Sequence, residues 1–340
     1  MTRRHCFVSL VLLFVLSETA LAQQDDAPPP PQSSTATISV RTSIVAITAL
    51  VRDKKGELIR NLDKDDFRVK EDGKPINIRY FDKDSDLPLQ IGLMIDTSGS
   101  QKKFFDEERT ASQTFLQSML TRPQDQAYVV RFDNNVLLLQ KMTSDLDKIE
   151  HSLTLLDKPF PLQKGADWHK GTRLYDAICT TTINVANRER GRRAVIILTD
   201  GEDNGSSSDL EGAIKQVQRA DTAVYTVLYT DKRDAPSLSV DTPEQKLIRA
   251  TQGVTGNAAK VTGRAAMERI SLASGGRLFV VDKNNPVEKV YQQIELDMRM
   301  QYRIGYTPPQ SPPGTYHTLE VKPKDSKYAI QARVGYYTPQ

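Results

Sequence analysis

The order of apolar and polar residues divides the chain into three stretches. Between residues 37 and 82, apolar and polar positions alternate in short runs, which predicts β-strands. From Leu87 to about Met300, continuous apolar runs alternate with segments whose apolar residues recur every three or four positions. After Met300, short alternating runs return. The pattern therefore predicts two β-rich flanks around an α/β block.

The α/β block contains strands that are apolar along their whole length, as in LQIGLMID (89–96). A strand of this kind is typical of a parallel sheet whose two faces are both covered by helices. We therefore expect a doubly wound, mostly parallel sheet of about six strands. The predicted strands are 89–96, 127–132, 136–142, 192–200, 222–230 and 277–281. The predicted helices are 103–120, 146–156, 172–187, 209–220, 263–274 and 286–300, with a long surface loop over 231–262.

The two β-rich flanks are each too short for a comfortable core. The N-terminal flank (37–86) holds about 50 residues and the C-terminal flank (300–340) about 40, which is marginal for an independent domain. We therefore expect the two flanks to pack together as one small β-sandwich. The α/β domain, residues 87–299, would then be inserted into it.

The first 22 residues predict export. Arg3 and Arg4 precede an apolar run from Phe7 to Leu16, and Ala20-Leu21-Ala22 follows, which is the order of a cleavable secretory signal peptide. The run is too short to span a bilayer, although a short N-terminal anchor is an alternative. Residues 23–36 contain four consecutive prolines and predict an extended linker. We expect a periplasmic, extracellular or cell-surface protein without a membrane span in its mature form.

Composition and charge exclude several classes of protein. The chain has 340 residues, of which 46 are Lys or Arg and 43 are Asp or Glu, so its net charge is only +3. A nucleic-acid binder driven by bulk charge is therefore not expected. Two cysteines, one of them in the predicted signal peptide, exclude a disulfide scaffold. Cys179 is expected to be buried and unreactive.

Polar residues whose side chains end in oxygen atoms follow two of the predicted strands and precede one helix. Asp96, Ser98 and Ser100 end the first buried strand, and Asp200 ends a later one, while Thr172 precedes a helix. The carboxyl ends of parallel strands meet at one edge of a sheet, where ligands bind. Two carboxylates and three hydroxyls form an oxygen-only set that suits a hard divalent cation such as Mg²⁺. The competing interpretation is that the hydroxyls only cap helices and that Asp200 only begins a turn.

Motifs of nucleotide-binding and hydrolytic enzymes are missing. No G-x-G-x-x-G or Walker A motif follows the first strand, and no G-x-S-x-G is present for a serine hydrolase. A phosphatase of the haloacid-dehalogenase type would need an acid at position 98, which is Ser98. We therefore expect a protein without enzymatic activity.

The motif residues resemble a known family. The D-x-S-x-S of Asp96, Ser98 and Ser100, Thr172 in GTRLYDA and Asp200 in LTDGED match the metal-ion-dependent adhesion site of von Willebrand factor type A domains. The segments NLDKDDFRVKEDGKPINIRYF and QYRIGYTP…RVGYYTP also resemble the flanks of secreted bacterial proteins described as VWFA-related, best known from Acidobacteria.

The resemblance implies a function. The serines and Thr172 would contact the cation, and the two aspartates would bind it directly or through water. The cation would be Mg²⁺, with Ca²⁺ or Mn²⁺ as alternatives, and a carboxylate from a partner protein would complete its coordination. The expected function is thus secreted, metal-dependent protein binding or adhesion. The alternative is a structural envelope scaffold in which the metal only braces the loops.

Basic and aromatic residues occur in loops that would surround this site. A basic rim would attract an acidic partner, although solvated loop charges without a binding role are the competing interpretation. Trp168, the only tryptophan, would be a contact residue if exposed and a core residue if buried. The candidate rim residues are Lys102, Lys103, Trp168, His169, Lys170 and Arg173.

Overall fold

A computed structural model describes residues 44–83, 87–158, 171–186, 191–229 and 262–339, the side chains of 183–186 excepted. The predicted signal peptide, the proline-rich linker and nearly all of the predicted loop 231–262 lie outside these residues. The domain boundaries stay predictions. No helix among the described residues is long and apolar enough to cross a membrane.

The described residues form strands and helices in the following chain order. They are β1 (Val45–Arg52), β2 (Phe67–Glu71), β3 (Lys74–Ile76), β4 (Tyr80–Asp82), β5 (Leu89–Asp96), α1 (Phe105–Met119), β6 (Gln126–Phe132), β7 (Val136–Thr143), α2 (Leu146–Leu153), α3 (Leu174–Ala186), β8 (Arg192–Thr199), α4 (Leu210–Arg219), β9 (Ala223–Tyr229), α5 (Gly263–Ser274), β10 (Leu278–Val281), α6 (Val287–Arg299), β11 (Tyr302–Tyr306), β12 (Tyr316–Pro323), β13 (Ala329–Ala332) and β14 (Gly335–Tyr337).

A six-stranded sheet with the order β10-β9-β8-β5-β6-β7 forms the centre of the α/β block. Neighbouring strands are parallel except β7, which pairs antiparallel with β6 at one edge. Every side chain of β5 is buried, because this strand lies inside the sheet with helices on both faces. The prediction of a doubly wound, mostly parallel sheet of six strands is confirmed.

Helices cover both faces of the central sheet. On one face, α1, α2 and α6 pack against Leu93 and Ile95, and on the other, α3, α4 and α5 pack against Met94. This alternation along one strand follows from the twofold period of side chains in a strand. Predicted helix boundaries hold to within a few residues. Lys102–Phe104 forms a separate short 3₁₀ helix before α1, and α3 begins at Leu174.

The two flanks form one β-unit, which we define as strands β1–β4 and β11–β14. Its first sheet has the order β13-β1-β11-β4 and its second the order β14-β12-β2-β3, so strands from both ends of the chain pair in each. Apolar side chains of both sheets share one core, with Phe67, Phe81 and Tyr302 in mutual ring contact. The predicted β-sandwich made from the two flanks is confirmed.

The β-unit is tied to the α/β block by polar and aromatic contacts. Arg52 at the end of β1 forms an ion pair with Asp297 on α6, whose side chain is only 2% exposed. On α4, Arg219 lies over the ring of Tyr337, with 5.0 Å between its guanidinium carbon and the ring centroid. Residues that are more than one hundred positions apart therefore hold the two parts together.

Candidate metal site

Asp96 and Asp200 lie at the carboxyl ends of neighbouring parallel strands. Asp96 is the last residue of β5, and Asp200 directly follows β8, which pairs with β5. From β5 the chain continues to β6 on one side, while β8 lies on the other side. The crevice between β5 and β8 is therefore a topological switch point, the usual ligand site of an open α/β sheet.

Ser98 and Ser100 join the two aspartates in a chain of hydrogen bonds. The Asp96 carboxylate accepts a bond of 2.9 Å from the backbone N–H of Ser98. The hydroxyl oxygens of Ser98 and Ser100 are 3.1 Å apart. The Ser100 hydroxyl donates to Asp200 Oδ2 over 2.7 Å. The structure thus brings four of the five predicted ligands into one connected group.

Thr172 lies in the segment just before α3, which is hydrogen-bonded to the loop after Asp200. Its backbone N–H donates to the side chain of Asn204 over 2.5 Å, and its carbonyl accepts from the Asn204 N–H over 3.1 Å. Gly171 before it has φ of 123°, a left-handed conformation that favours glycine. The two hydrogen bonds between Asn204 and Thr172 were not expected from the sequence, which carries no signal for this contact.

The loop that carries Asp200 has little freedom to move. Gly201 adopts a left-handed φ of 84°, and a Cβ on Gly263 at the start of α5 would lie 2.2 Å from the Gly201 carbonyl oxygen. Only glycines permit this close approach of two backbones. Asp200 is thus held against the N-terminus of α5 before any cation binds.

Burial changes the protonation of Asp96. Its side chain is fully buried, and this burial raises its pKa to about 7, with a smaller contribution from the negative charge of Asp200. Hydrogen bonds from Ser98 and from the Thr199 hydroxyl, 2.8 Å from Asp96 Oδ2, oppose the rise. Because a cation needs the ionised carboxylate, it competes with a proton at Asp96 below about pH 7.

Glu108 on α1 is a second buried acid near this site, and it was not expected from the sequence. The side chain is fully buried, and neither carboxylate oxygen has a hydrogen-bond partner among the described residues. Burial, together with the charge of Asp96, raises its pKa well above the ordinary value. A glutamate on a predicted helix gives no sequence signal of burial, since most such residues are exposed.

The residues present fit a hard divalent cation. The predicted donor set consists of two carboxylates and three hydroxyls, which is the ligand chemistry that Mg²⁺ and Ca²⁺ prefer. Asp96 is buried and Asp200 half-buried, and the partners of Asp96 are neutral donors, so no basic side chain offsets the repulsion between these two carboxylates at Asp96. A dication would compensate both charges, while Ser98 and Ser100 are exposed enough to leave the site open to solvent.

The candidate rim is described only in part. Lys102, Lys103 and Arg173 are exposed, and the Lys103 ammonium lies 4.9 Å from the ring centroid of Phe104. Trp168, His169 and Lys170 fall outside the described residues, so their part of the rim stays a prediction.

Cys179 on α3 is half-buried rather than fully buried, and burial raises the pKa of its thiol. A raised pKa lowers thiolate reactivity.

Several solved structures match part of this chain. The conserved hypothetical protein BatB from Bacteroides thetaiotaomicron is 18% identical, with a TM-score of 0.43 over 62% of this chain and 97% of that chain. The pilus adhesin SpaC from Lactobacillus rhamnosus GG, in its open conformation, is 11% identical, with a TM-score of 0.43 over 83% of this chain and 49% of that chain. The SpRpn10 VWA domain is 10% identical, with a TM-score of 0.40 over 61% of this chain and 95% of that chain. No curated protein matches the chain in sequence.

The family model of the von Willebrand factor type A domain matches residues 90–293. This range begins within β5 and ends within α6, so it includes all of the central sheet except Leu89, and both candidate aspartates. Domains of this family are generally interaction modules without enzymatic activity. The chain therefore belongs to the von Willebrand factor type A domain family.

Proposed function

We propose that this protein is an exported binding module that captures a partner protein through a divalent cation. Asp96, Ser98, Ser100, Thr172 and Asp200 would hold the cation, and an Asp or Glu carboxylate of the partner would complete its coordination. The bound cation supplies an electrophilic centre for that carboxylate. The chain's own residues position the cation and neutralise part of its charge.

The connected group of Asp96, Ser98, Ser100 and Asp200 is the observation that supports this proposal most. The Ser100 hydroxyl donates to Asp200 over 2.7 Å and lies 3.1 Å from the Ser98 hydroxyl, and the Ser98 N–H donates to Asp96. Exposed Lys102, Lys103 and Arg173 support an acidic partner, since opposite charge speeds encounter and favours the correct orientation. The predicted signal peptide supports export.

Partner capture accounts for the site better than bracing of the loops by the metal. The loops are already held by protein contacts. The Tyr175 N–H donates to Asp203 over 3.2 Å, and Asp176 accepts from the N–H groups of Ser207 and Ser208 over 2.9 Å each. A cation is therefore not needed to fix the loop after Asp200 against the start of α3.

A pull-down from an envelope extract of the source organism tests the proposal. The immobilised chain is used with Mg²⁺, with EDTA, and as the variant Asp96→Ala with Mg²⁺. Asp106→Ala is the matched control, because this carboxylate lies in the first turn of α1 with a side chain 96% exposed and pairs with Arg109. We expect a partner that is retained in Mg²⁺, released by EDTA, lost with Asp96→Ala and kept with Asp106→Ala.

The opposite pattern identifies a scaffold with a bracing metal. In that case the same proteins are retained in EDTA and by Asp96→Ala, while chelation lowers the melting temperature of the wild-type chain. That result would overturn the proposal of metal-dependent capture.

A further inference from the structure

A second cluster of metal-ligating side chains lies in the β-unit, outside the site described above. Glu71 ends β2, Asp72 begins the turn to β3, and His317 is the second residue of β12. His317 Nδ1 is 2.8 Å from Asp72 Oδ2 and 3.2 Å from Glu71 Oε1. One ligand atom from each of the three residues lies within 4.8 Å of the others.

Neighbouring residues orient all three side chains. The Tyr336 hydroxyl donates to Glu71 Oε1 over 3.1 Å, and the Thr318 N–H and hydroxyl donate to Asp72 Oδ1 over 2.8 and 3.1 Å. The Ser311 hydroxyl lies 2.8 Å from His317 Nε2. Such outer partners are typical of metal sites, where the histidine donates its second N–H and each carboxylate is itself hydrogen-bonded.

The protein atoms alone do not satisfy this cluster. A neutral imidazole carries one N–H, so Nδ1 can donate to only one of the two carboxylates that face it. Glu71 is buried, with a side chain 2% exposed, and among the described residues its Oε2 makes no hydrogen bond of good geometry, although the Tyr306 hydroxyl interacts with this carboxylate.

We propose that Glu71, Asp72 and His317 bind a second divalent cation, of the Zn²⁺ class. When Nε2–H donates to Ser311, the Nδ1 lone pair faces both carboxylates. Metal–ligand distances of about 2.1 Å imply separations of roughly 3.0–3.4 Å between neighbouring ligands, close to the two distances from Nδ1. Imidazole ligation favours Zn²⁺ over Mg²⁺, which separates this site chemically from the first. Asp72 is half exposed, so water can complete the coordination.

The cation would link the two ends of the chain within the β-unit. Glu71 and Asp72 belong to the N-terminal flank and His317 to the C-terminal flank, 245 residues after Asp72. The chain has only two cysteines, and Cys179 is free, so no disulfide makes this link. A ligand that binds only the folded state stabilises it, and Zn²⁺ should therefore raise the melting temperature.

The same distances would also fit a Ser311–His317–Asp72 relay of a hydrolase. The metal is favoured because a relay leaves the buried Glu71 without a role, although it lies 3.2 Å from the same ring nitrogen. Ser311 also lies between Gln310 and Pro312 rather than in a G-x-S-x-G turn. The two chemistries give different results with a fluorophosphonate, which labels an activated serine.

Calorimetric titration with Zn²⁺ and the visible absorption of bound Co²⁺ test the proposal. Asp96→Ala serves as the parent protein, so that the first site does not contribute. We expect one Zn²⁺ per chain and a fall in affinity of at least about tenfold in both His317→Ala and Asp72→Asn. Asp72→Asn should fold normally, since φ at this position is 49° and asparagine tolerates the left-handed region. His151→Ala, at an exposed histidine on α2, is the matched control.

Three results would overturn the second site. They are the absence of Zn²⁺ binding in the parent protein, an unchanged Zn²⁺ affinity in Asp72→Asn, and fluorophosphonate labelling of Ser311 that is lost in His317→Ala. A failure of partner capture at the first site leaves this test untouched, because the parent protein already lacks Asp96.

Discussion

Asp96→Ala and Asp200→Ala are each expected to lower the affinity for Mg²⁺ by more than about 100-fold while the fold remains intact. The loss should exceed the 10–100-fold that is typical for residues that only support a ligand, because each change removes a carboxylate itself. The fold should remain intact because neither change leaves a buried positive charge without a partner. Ser98 and Thr199, which donate to Asp96, and Ser100, which donates to Asp200, are all neutral.

Calorimetric titration at pH 8 measures this effect, because Asp96 is ionised there in the metal-free protein. The solvated carboxylate of Asp106 again provides the control, and Asp106→Ala should bind Mg²⁺ like the wild type. Far-ultraviolet circular dichroism checks that each variant is folded. An unchanged Mg²⁺ affinity in both Asp96→Ala and Asp200→Ala would show that the ligands are assigned wrongly.

Asp297→Ala should lower the free energy of unfolding by about 3–5 kcal/mol, the usual cost of breaking a buried ion pair. The change leaves the Arg52 guanidinium without its main partner, 16% exposed at the junction between the β-unit and α6. Replacing both residues with apolar ones, as Arg52→Met with Asp297→Leu, should recover much of the loss, because no charge then stays buried unpaired.

Urea unfolding measures the stability change, and an exposed ion pair in the same β-unit provides the comparison. Lys70 and Glu320 are 3.3 Å apart with side chains 45% and 39% exposed, so Lys70→Ala should cost no more than about 1 kcal/mol. If Asp297→Ala costs as little as Lys70→Ala, the buried pair does not hold the junction.

Local pattern was enough to predict much of the fold. Strands such as β5 are apolar throughout, and helices such as α1 repeat their apolar residues every three or four positions, so each segment indicates its own structure. The positions of Asp96 and Asp200 followed from the same pattern, because both come directly after buried strands. A site built at strand ends is therefore visible in sequence once the strands are known.

Contacts between distant residues could not be predicted in this way. Arg52 and Asp297 are 245 positions apart, as are Asp72 and His317, and nothing near any of them in sequence marks a partner. Charged residues buried by tertiary structure, such as Glu108, are hidden for the same reason. The antiparallel pairing of β7 with β6 is different, because only residues 133–135 separate the two strands, and a parallel crossover needs a dozen or more residues.

Water-proton relaxation with Mn²⁺ tests most directly whether the site holds a cation that is open to an outside carboxylate. The experiment uses Asp72→Asn protein, so that the second site is weakened. We predict that bound Mn²⁺ enhances the relaxation of water protons, that added acetate reduces this enhancement by displacing water, and that further substitution with Asp96→Ala abolishes it. An enhancement that Asp96→Ala leaves unchanged, or one that acetate does not reduce, would contradict a cation held at Asp96 and open to a partner.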